Sequence, residues 1–100
     1  MPIGIYIECM AHTAAYDVLL SRLKEEGAAC IREDDGCFRM EVSVSSSPDE
    51  RVLLSELWRD RAAIDAHRKK PGHSYGSREP LTASKRMAVC DVVASPVPAP

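Results

Sequence analysis

The sequence predicts an α+β sandwich, in which a four-stranded antiparallel sheet carries two helices on one face. Four segments alternate apolar and polar side chains with the two-residue period of a half-buried strand. One long and one short segment instead show the period of an amphipathic helix. The order along the chain is strand, helix, strand, strand, helix, strand, and two interlocked βαβ units in this order form a ferredoxin-like fold.

The first strand is predicted over residues 3–9, with Ile3, Ile5 and Ile7 on one face and Gly4, Tyr6 and Glu8 on the other. A helix then runs from Ala14 to about Arg32. Thr13 is its predicted N-cap, because a hydroxyl oxygen can accept from the free N–H groups of the first turn. Its apolar stripe comprises Tyr16, Leu19, Leu20, Leu23, Gly27, Cys30 and Ile31. His12, at the start of the helix, is expected to be exposed and to have no role.

The helix ends in the acidic turn Glu33-Asp34-Asp35-Gly36. Successive acids can bind a divalent cation, but this turn lacks the regular ligand spacing of a calcium loop, so we interpret it as a solvated turn. A second strand follows from Cys37 to Val44, with one buried face made of Phe38, Met40, Val42 and Val44. A polar connection over residues 45–50 leads to the third strand.

The third strand, Arg51–Trp58, carries apolar residues on both faces. Val52, Leu54, Glu56 and Trp58 point one way, and Leu53, Ser55 and Leu57 the other. Helices can cover one face, and a second copy of the chain is the simplest cover for the other. The sequence therefore predicts a homodimer. The face without helices is expected to include Tyr6, Glu8, Glu56 and Trp58, as a dimer contact or as the floor of a pocket.

The rest of the chain holds the second helix and the last strand. Asp60 is a predicted N-cap, and His67 lies on the same helical stripe as Ala63 and Ile64. Pro71-Gly72 ends this helix, a short helical piece is expected near His73–Ser77, and the fourth strand is predicted over Lys85–Val93. Residues 1–93 then form one domain, and the proline-rich residues 94–100 form a disordered or extended tail.

The composition is that of a soluble globular protein, with 45% hydrophobic and 28% charged residues and a net charge of −2. This charge gives no electrostatic reason for binding nucleic acid or an anionic membrane. There is no apolar run of the ~20 residues that a membrane helix needs. The first ten residues do not have the pattern of a signal peptide, so we predict a cytoplasmic protein. Its four cysteines are expected to be reduced and mostly buried, without disulfide or metal, because their spacing matches no zinc pattern and none is near His67 or His73 along the chain.

Candidate functional residues concentrate between Glu56 and His73, a stretch that holds the only tryptophan, Trp58, and two of the three histidines, His67 and His73. Each residue also has a structural interpretation. A tryptophan at the end of a strand is more often a core residue than a catalytic one. A histidine on an apolar helical stripe is more often a hydrogen-bonded core group than a proton carrier.

The ordered motifs between Glu33 and His73 resemble the antibiotic biosynthesis monooxygenase family. They are the acidic turn that ends in Gly36-Cys37, the strand end Glu56-Leu57-Trp58, the helix from Asp60 to His67, and Pro71-Gly72-His73. The ordered set is specific, although no single piece is. The resemblance extends from Ile3 to Val93. Gly72 departs from the family, which usually has proline followed directly by histidine.

The resemblance implies a dimeric α+β barrel with a pocket in each chain between the sheet and the helices. It also implies oxygenation of a small electron-rich aromatic, such as a quinol, phenol or anthrone, by molecular oxygen without a cofactor. His67 would be the base or proton relay, because the ordinary pKa of an imidazole is near ~6.5. Trp58 would wall the pocket and donate through its indole N–H, and His73 would be a further polar contact. Glu56, Tyr6 and Tyr75 would contact the substrate.

Three alternatives remain open at the level of the sequence, because a fold does not fix a function. The first is an isomerase or cleavage enzyme for a small oxygenated metabolite, with the same histidine as acid and base. The second is a dimeric ligand-binding module without catalysis. The third is haem degradation on a related scaffold, which would require His67 or His73 as an axial ligand.

Overall fold

The structure is a computed structural model that describes residues 2–46, 49–70 and 81–94. Its elements are β1 (Ile3–Ala11), α1 (Tyr16–Glu33), β2 (Cys37–Val44), β3 (Arg51–Trp58), α2 (Arg61–Arg68) and β4 (Thr82–Asp91). The strands form one sheet in the order β2-β3-β1-β4, and every neighbouring pair is antiparallel. The predicted ferredoxin-like α+β fold is confirmed. The bounds of β3 are also those predicted.

The hydrophobic core lies between the helices and one face of the sheet, which we call the inner face. On β1 and β3 the inner-face residues are Ile3, Ile5, Ile7, Cys9, Val52, Leu54, Glu56 and Trp58. Leu19 and Leu23 of α1 and Ala63 and Ile64 of α2 complete this core. The apolar area that these residues withdraw from water is the main favourable term in folding. The opposite face, which we call the outer face, has no described helix over it.

The register of the sheet corrects one prediction about its faces. Ile5 pairs with Glu56, and Tyr6 pairs with Ser55. Since paired residues share a face, Glu56 and Trp58 lie on the inner face with the isoleucines, whereas Tyr6 and Glu8 lie on the outer face. The expectation that all four share the face without helices is therefore wrong for Glu56 and Trp58.

Helix α1 starts later than predicted. The N–H of Ala15 donates to the carbonyl of His12 at 2.9 Å, and Ala14 has a positive φ of 68°, so a turn precedes the helix. The N-cap is Ala15, which has no side-chain cap, and Thr13 is not the cap. The predicted stripe is buried at Leu19, Leu23, Gly27 and Cys30. Ile31, in contrast, is half exposed.

The two edge strands are less buried than the sequence predicts. The register of β2 is irregular between Cys37 and Arg39, so Cys37 lies opposite Trp58 and Phe38 is 57% exposed. Val44 is also exposed, while Met40 and Val42 pack against the core as predicted. On β4, Met87 and Val89 share the inner face with Ile7 and Ile5 but stay exposed, since the described helices lie over β1, β2 and β3.

Several predictions concern residues outside the described part of the chain. His73, Tyr75 and the helical piece near His73–Ser77 lie outside it, and so does most of the tail, residues 95–100. Among the described residues, neither helix is long and apolar enough to cross a membrane.

Gly36 fixes the turn that brings the end of α1 against α2. Its φ is +85°, and a Cβ at this position would lie 2.7 Å from the Cβ of Ala63.

Gly36→Ala should lower the free energy of unfolding by about 2–4 kcal/mol, because it combines a left-handed backbone with a clash. Urea unfolding measures this loss. Gly27→Ala is the matched control. A Cβ there comes within 3.0 Å only of the Met40 side chain and meets the Met40 carbonyl oxygen at an ordinary 3.7 Å, so a clearly smaller loss is expected. Equal losses in the two variants would contradict the role given to Gly36.

Candidate functional site

Six polar and aromatic side chains meet where the C-terminal end of α1 and the helix α2 approach the end of β3. We call them the His67 cluster: Cys30, Asp34, Glu56, Trp58, His67 and Lys70. Four of them come from the stretch between Glu56 and His73. Cys30 and Asp34 come from α1 and its C-cap, more than thirty residues before His67 in the chain.

Local helix geometry positions both sides of the cluster. Cys30 and Asp34 are one turn apart, so they lie on the same side of α1, and the N–H of Asp34 donates to the carbonyl of Cys30 at 2.9 Å. Helix α2 begins at its predicted N-cap, since Asp60 Oδ1 accepts from the N–H of Ala63 at 2.9 Å. His67 lies one turn after Ala63, and this places its ring towards α1 and the sheet.

The central contact joins the His67 ring to the Asp34 carboxylate, with Nδ1 2.6 Å from Oδ2. The side chain of Asp34 is only 5% exposed and that of His67 16%. Lys70 Nζ donates to the other carboxylate oxygen, Oδ1, at 2.7 Å. The interpretation of residues 33–36 as a solvated turn is therefore wrong for Asp34, although it fits the exposed Asp35.

The Asp34 carboxyl is held in its ionised form. Burial by itself would raise the pKa of Asp34, but the hydrogen bonds from Lys70 and His67 outweigh burial and lower the pKa. The same contact raises the pKa of Lys70. An ionised carboxylate only accepts hydrogen bonds, so we assign the His67 proton to Nδ1. Nε2 is then the ring nitrogen with the basic lone pair.

Trp58 packs against the His67 ring from the side of the core. It is fully buried, and its ring centroid lies 4.9 Å from that of His67 at an interplanar angle of 43°. Its indole N–H donates to Oε1 of the buried Glu56 at 2.9 Å. The predicted donation from this N–H to a substrate is thus replaced by a contact inside the protein. Glu56 orients Trp58 rather than a histidine.

The free space around the cluster is divided in two. Between the sheet and the helices, a cavity of about 20 Å³ is lined by Leu23, Glu26, Gly27, Cys30, Met40, Leu54, Glu56 and His67. This holds about one water molecule, so the described residues do not form the substrate-sized pocket expected there. On the other side of His67, a surface depression of about 290 Å³ is lined by Glu33, Asp34, Asp35, Arg59, Ala62, Ala63, Ala66, His67 and Lys70. We call it the α2 depression.

Tyr6 belongs to a different surface. It lies on the outer face, where a depression of about 440 Å³ is lined by Tyr6, Ile7, Glu8, Ser43, Leu53, Leu54, Ser55, Arg86, Met87 and Ala88. The sheet separates this depression from the His67 cluster, so Tyr6 and His67 do not meet in one chain. His73 and Tyr75 are not among the described residues.

Sequence reasoning missed Cys30, Asp34 and Lys70 as members of the site. Cys30 Sγ lies 3.8 Å from His67 Nδ1. Burial, followed by the hydrogen bond to Asp34 and the negative charge of Asp34, raises the pKa of Cys30 to about 12, so this residue is a thiol at neutral pH. The signal in the sequence was the spacing of Leu23, Gly27, Cys30 and Asp34, which continues the apolar stripe of α1 into the acidic turn.

The family model described as antibiotic biosynthesis monooxygenase matches residues 2–76, which include the whole His67 cluster. The chain belongs to this family. Its Cys30, Asp34 and His67 are therefore part of an antibiotic biosynthesis monooxygenase domain. No curated protein matches the sequence.

Solved structures agree with the family at the level of the fold. Rv0793 from Mycobacterium tuberculosis is 21% identical with a TM-score of 0.85, and the match covers 97% of this chain and 100% of that one. A candidate antibiotic biosynthesis monooxygenase from Deinococcus radiodurans is 21% identical with a TM-score of 0.80, covering 95% of each chain. One from Nitrosomonas europaea is 14% identical with a TM-score of 0.82, covering 92% of this chain and 90% of that one.

The Asp34 carboxylate should make the stability of this domain depend on pH. Its pKa is lowered from the ordinary 3.8, so its contribution is complete above that value and is lost as the pH falls through the lower folded value. Asp34→Asn should therefore cost roughly 1–3 kcal/mol near neutral pH, and the difference from the wild type should shrink below about pH 4. Urea unfolding across pH measures both.

The neighbouring Asp35→Asn is the matched control for this series. Asp35 pairs with Arg59 at 3.0 Å but is exposed, so its replacement should cost less than ~1 kcal/mol at any pH. A cost for Asp34→Asn that is equally small, or that does not change with pH, would contradict the role of the buried carboxylate.

Proposed function

We propose that this chain is a monooxygenase that oxidises a small electron-rich aromatic, a quinol or phenol, with molecular oxygen and without a cofactor. The observation that carries the proposal is the hydrogen bond between His67 Nδ1 and the ionised Asp34. This bond fixes the orientation of the imidazole and supports a basic Nε2, in a domain of the antibiotic biosynthesis monooxygenase family.

The proposed chemistry requires little from the protein beyond that base. Oxygen reacts slowly with a neutral aromatic, whereas a deprotonated quinol can transfer an electron to it directly. The overall reaction balances when hydroquinone and oxygen give hydroxyquinone and water, because the substrate supplies all four electrons. One oxygen atom enters the ring and the other leaves as water. The protein then has to remove a proton and stabilise the resulting anion.

Each residue of the His67 cluster has a distinct role in this scheme. His67 Nε2 takes the proton of the substrate hydroxyl. The Asp34 carboxylate fixes the tautomer and stabilises the imidazolium that forms, as an aspartate does in hydrolase triads. Lys70 keeps Asp34 ionised. Trp58, fully buried behind the ring and held by Glu56, prevents His67 from turning inwards.

The α2 depression is the proposed substrate site. His67 lines it together with the apolar side chains of Ala62, Ala63 and Ala66, and Lys70 at its edge is a cation for the phenolate. Its volume of about 290 Å³ is just below the range of ligand pockets, ~300–1,000 Å³. This size favours a single-ring quinol or phenol over a fused tricyclic anthrone.

We further propose that the protein is a homodimer that joins through the outer faces of the two sheets. The outer face of β1 and β3 exposes three large apolar residues, Tyr6, Met10 and Leu53, and two of them, Tyr6 and Leu53, line the 440 Å³ depression. An exposed apolar patch on a sheet without helices is typical of a contact with another protein surface.

Replacement of His67 tests the catalytic role. His67→Ala and His67→Gln should each lower the turnover by ~10²–10⁴, because both remove a general base. Stability should fall by only about 1–3 kcal/mol, the loss expected for one buried hydrogen bond. Oxygen uptake with a panel of quinols and phenols, and thermal melting, are measured on the same samples. His12→Ala, which removes an exposed histidine, should change neither quantity.

Two outcomes would contradict the catalytic proposal. Full turnover per folded molecule in both variants would exclude His67 as the base and leave His73 as the candidate. Saturable binding of a quinol by the wild type without oxygen uptake would instead support the ligand-binding module.

Charge placed on the outer face tests the dimer. Leu53→Glu should convert a dimer into a monomer at micromolar concentration, because it buries an unpaired carboxylate in the proposed contact. Val18→Glu is the matched control, since Val18 is equally apolar and exposed but lies on α1. Light scattering measures both variants and the wild type. A wild type that is already monomeric at this concentration would contradict the proposal.

A further inference from the structure

Three side chains with metal-binding atoms converge inside the His67 cluster. Asp34 Oδ2 lies 2.6 Å from His67 Nδ1, and Cys30 Sγ lies 3.8 Å from the same nitrogen. The three atoms all lie within 4.8 Å of one another, and Cys30 is buried. From this convergence we infer that Cys30, Asp34 and His67 form a binding site for a divalent transition-metal ion of the Zn²⁺ class.

The convergence on one nitrogen distinguishes a metal site from a catalytic triad. In a nucleophile–histidine–acid relay, the nucleophile contacts one ring nitrogen and the acid the other. Here both Cys30 and Asp34 contact Nδ1, so His67 cannot take a proton from Cys30 at one end of the ring while Asp34 holds the other. Ligand atoms that surround a single point are instead typical of a metal site, in which a cation takes the place of the proton between them.

The observed distances are close to those of a tetrahedral site. Zinc lies about 2.3 Å from sulfur and about 2.0–2.2 Å from nitrogen or oxygen, and these bond lengths place the ligand atoms roughly 3.3–3.6 Å apart. The separation of Cys30 Sγ and His67 Nδ1, 3.8 Å, is already near this value. The 2.6 Å contact between Asp34 and His67 has to open by less than 1 Å once their shared proton is gone.

The ligand set selects the class of metal. A thiolate, an imidazole and a carboxylate together suit zinc and cobalt, whereas magnesium and calcium prefer oxygen ligands alone. Two of the three ligands, Cys30 and His67, line the cavity of about 20 Å³, which has room for one water as a fourth ligand. The two anionic ligands balance the charge of the ion, and Lys70 remains on Asp34 Oδ1.

Metal binding rearranges two protons. The thiol of Cys30 loses its proton to solvent, and the His67 proton moves from Nδ1 to Nε2, so the imidazole stays neutral. If the proposed function holds, an occupied protein has no base at Nε2, and the metal inhibits oxygenation. Metal binding can be measured with Co²⁺ by absorption and without an activity assay, so its result is independent of the proposed function.

Titration of the full reduced chain with Co²⁺ tests the site, since cobalt reports a thiolate ligand by a charge-transfer absorption band. We expect one equivalent of Co²⁺ to produce this band in the wild type and Zn²⁺ to abolish it by competition. Cys30→Ser should lose the band. Cys90→Ser should keep it, because Cys90 is an exposed cysteine on the outer face and serves as the matched control.

The remaining ligands give a test that does not depend on the folding of Cys30→Ser. His67→Gln and Asp34→Asn keep the thiol and should each weaken Co²⁺ binding at least about tenfold. Circular dichroism confirms that each variant is folded. The inference is overturned if the wild type shows no band, if the band survives in Cys30→Ser, or if both His67→Gln and Asp34→Asn bind Co²⁺ as the wild type does.

Discussion

The buried, ionised carboxylate of Asp34 is the constraint on which the architecture of the site depends. A carboxylate removed from water is costly unless charged and hydrogen-bonding partners surround it. Here His67 and Lys70, both from α2 and its C-terminal end, supply those partners. Helix α2 has only eight residues and would not persist alone in water. Its docking on the core through Ala63 and Ile64 and its attachment to Asp34 therefore depend on each other.

The sheet determines which of the predicted residues can work together. The sequence shows which residues of a strand share a face, because the alternation of side chains is visible in it. It does not show which face the helices cover when both are apolar, as on β3. The placement of Glu56 and Trp58 was therefore wrong, although their common face was predicted correctly. The pairing of Ile5 with Glu56, a contact between distant parts of the chain, is what determines the side.

The parts of the site that could be predicted are those that depend on local patterns and not on contacts between distant parts of the chain. Asp60 as a cap and His67 on the stripe of α2 follow from local patterns, and the structure confirms both. The partnership of His67 with Asp34 and Cys30 spans more than thirty residues and arises only when α1 and α2 pack together. Gly36 makes that approach close enough, because any side chain there would meet Ala63. The sequence of a polar turn does not show whether its side chains are exposed or buried, because this depends on the element that packs against it.

The occupant of Nδ1 of His67 therefore determines whether Nε2 carries a proton. In the proposed function, the proton shared between Nδ1 and Asp34 makes Nε2 the base. In the inferred metal site, the ion takes Nδ1, the proton moves to Nε2 and the proposed base is lost. The buried Trp58, whose indole N–H donates to Glu56, packs against the His67 ring and limits its movement towards the core. Under the two proposals together, the occupant of Nδ1, a proton or a metal ion, determines whether Nε2 can act as a base.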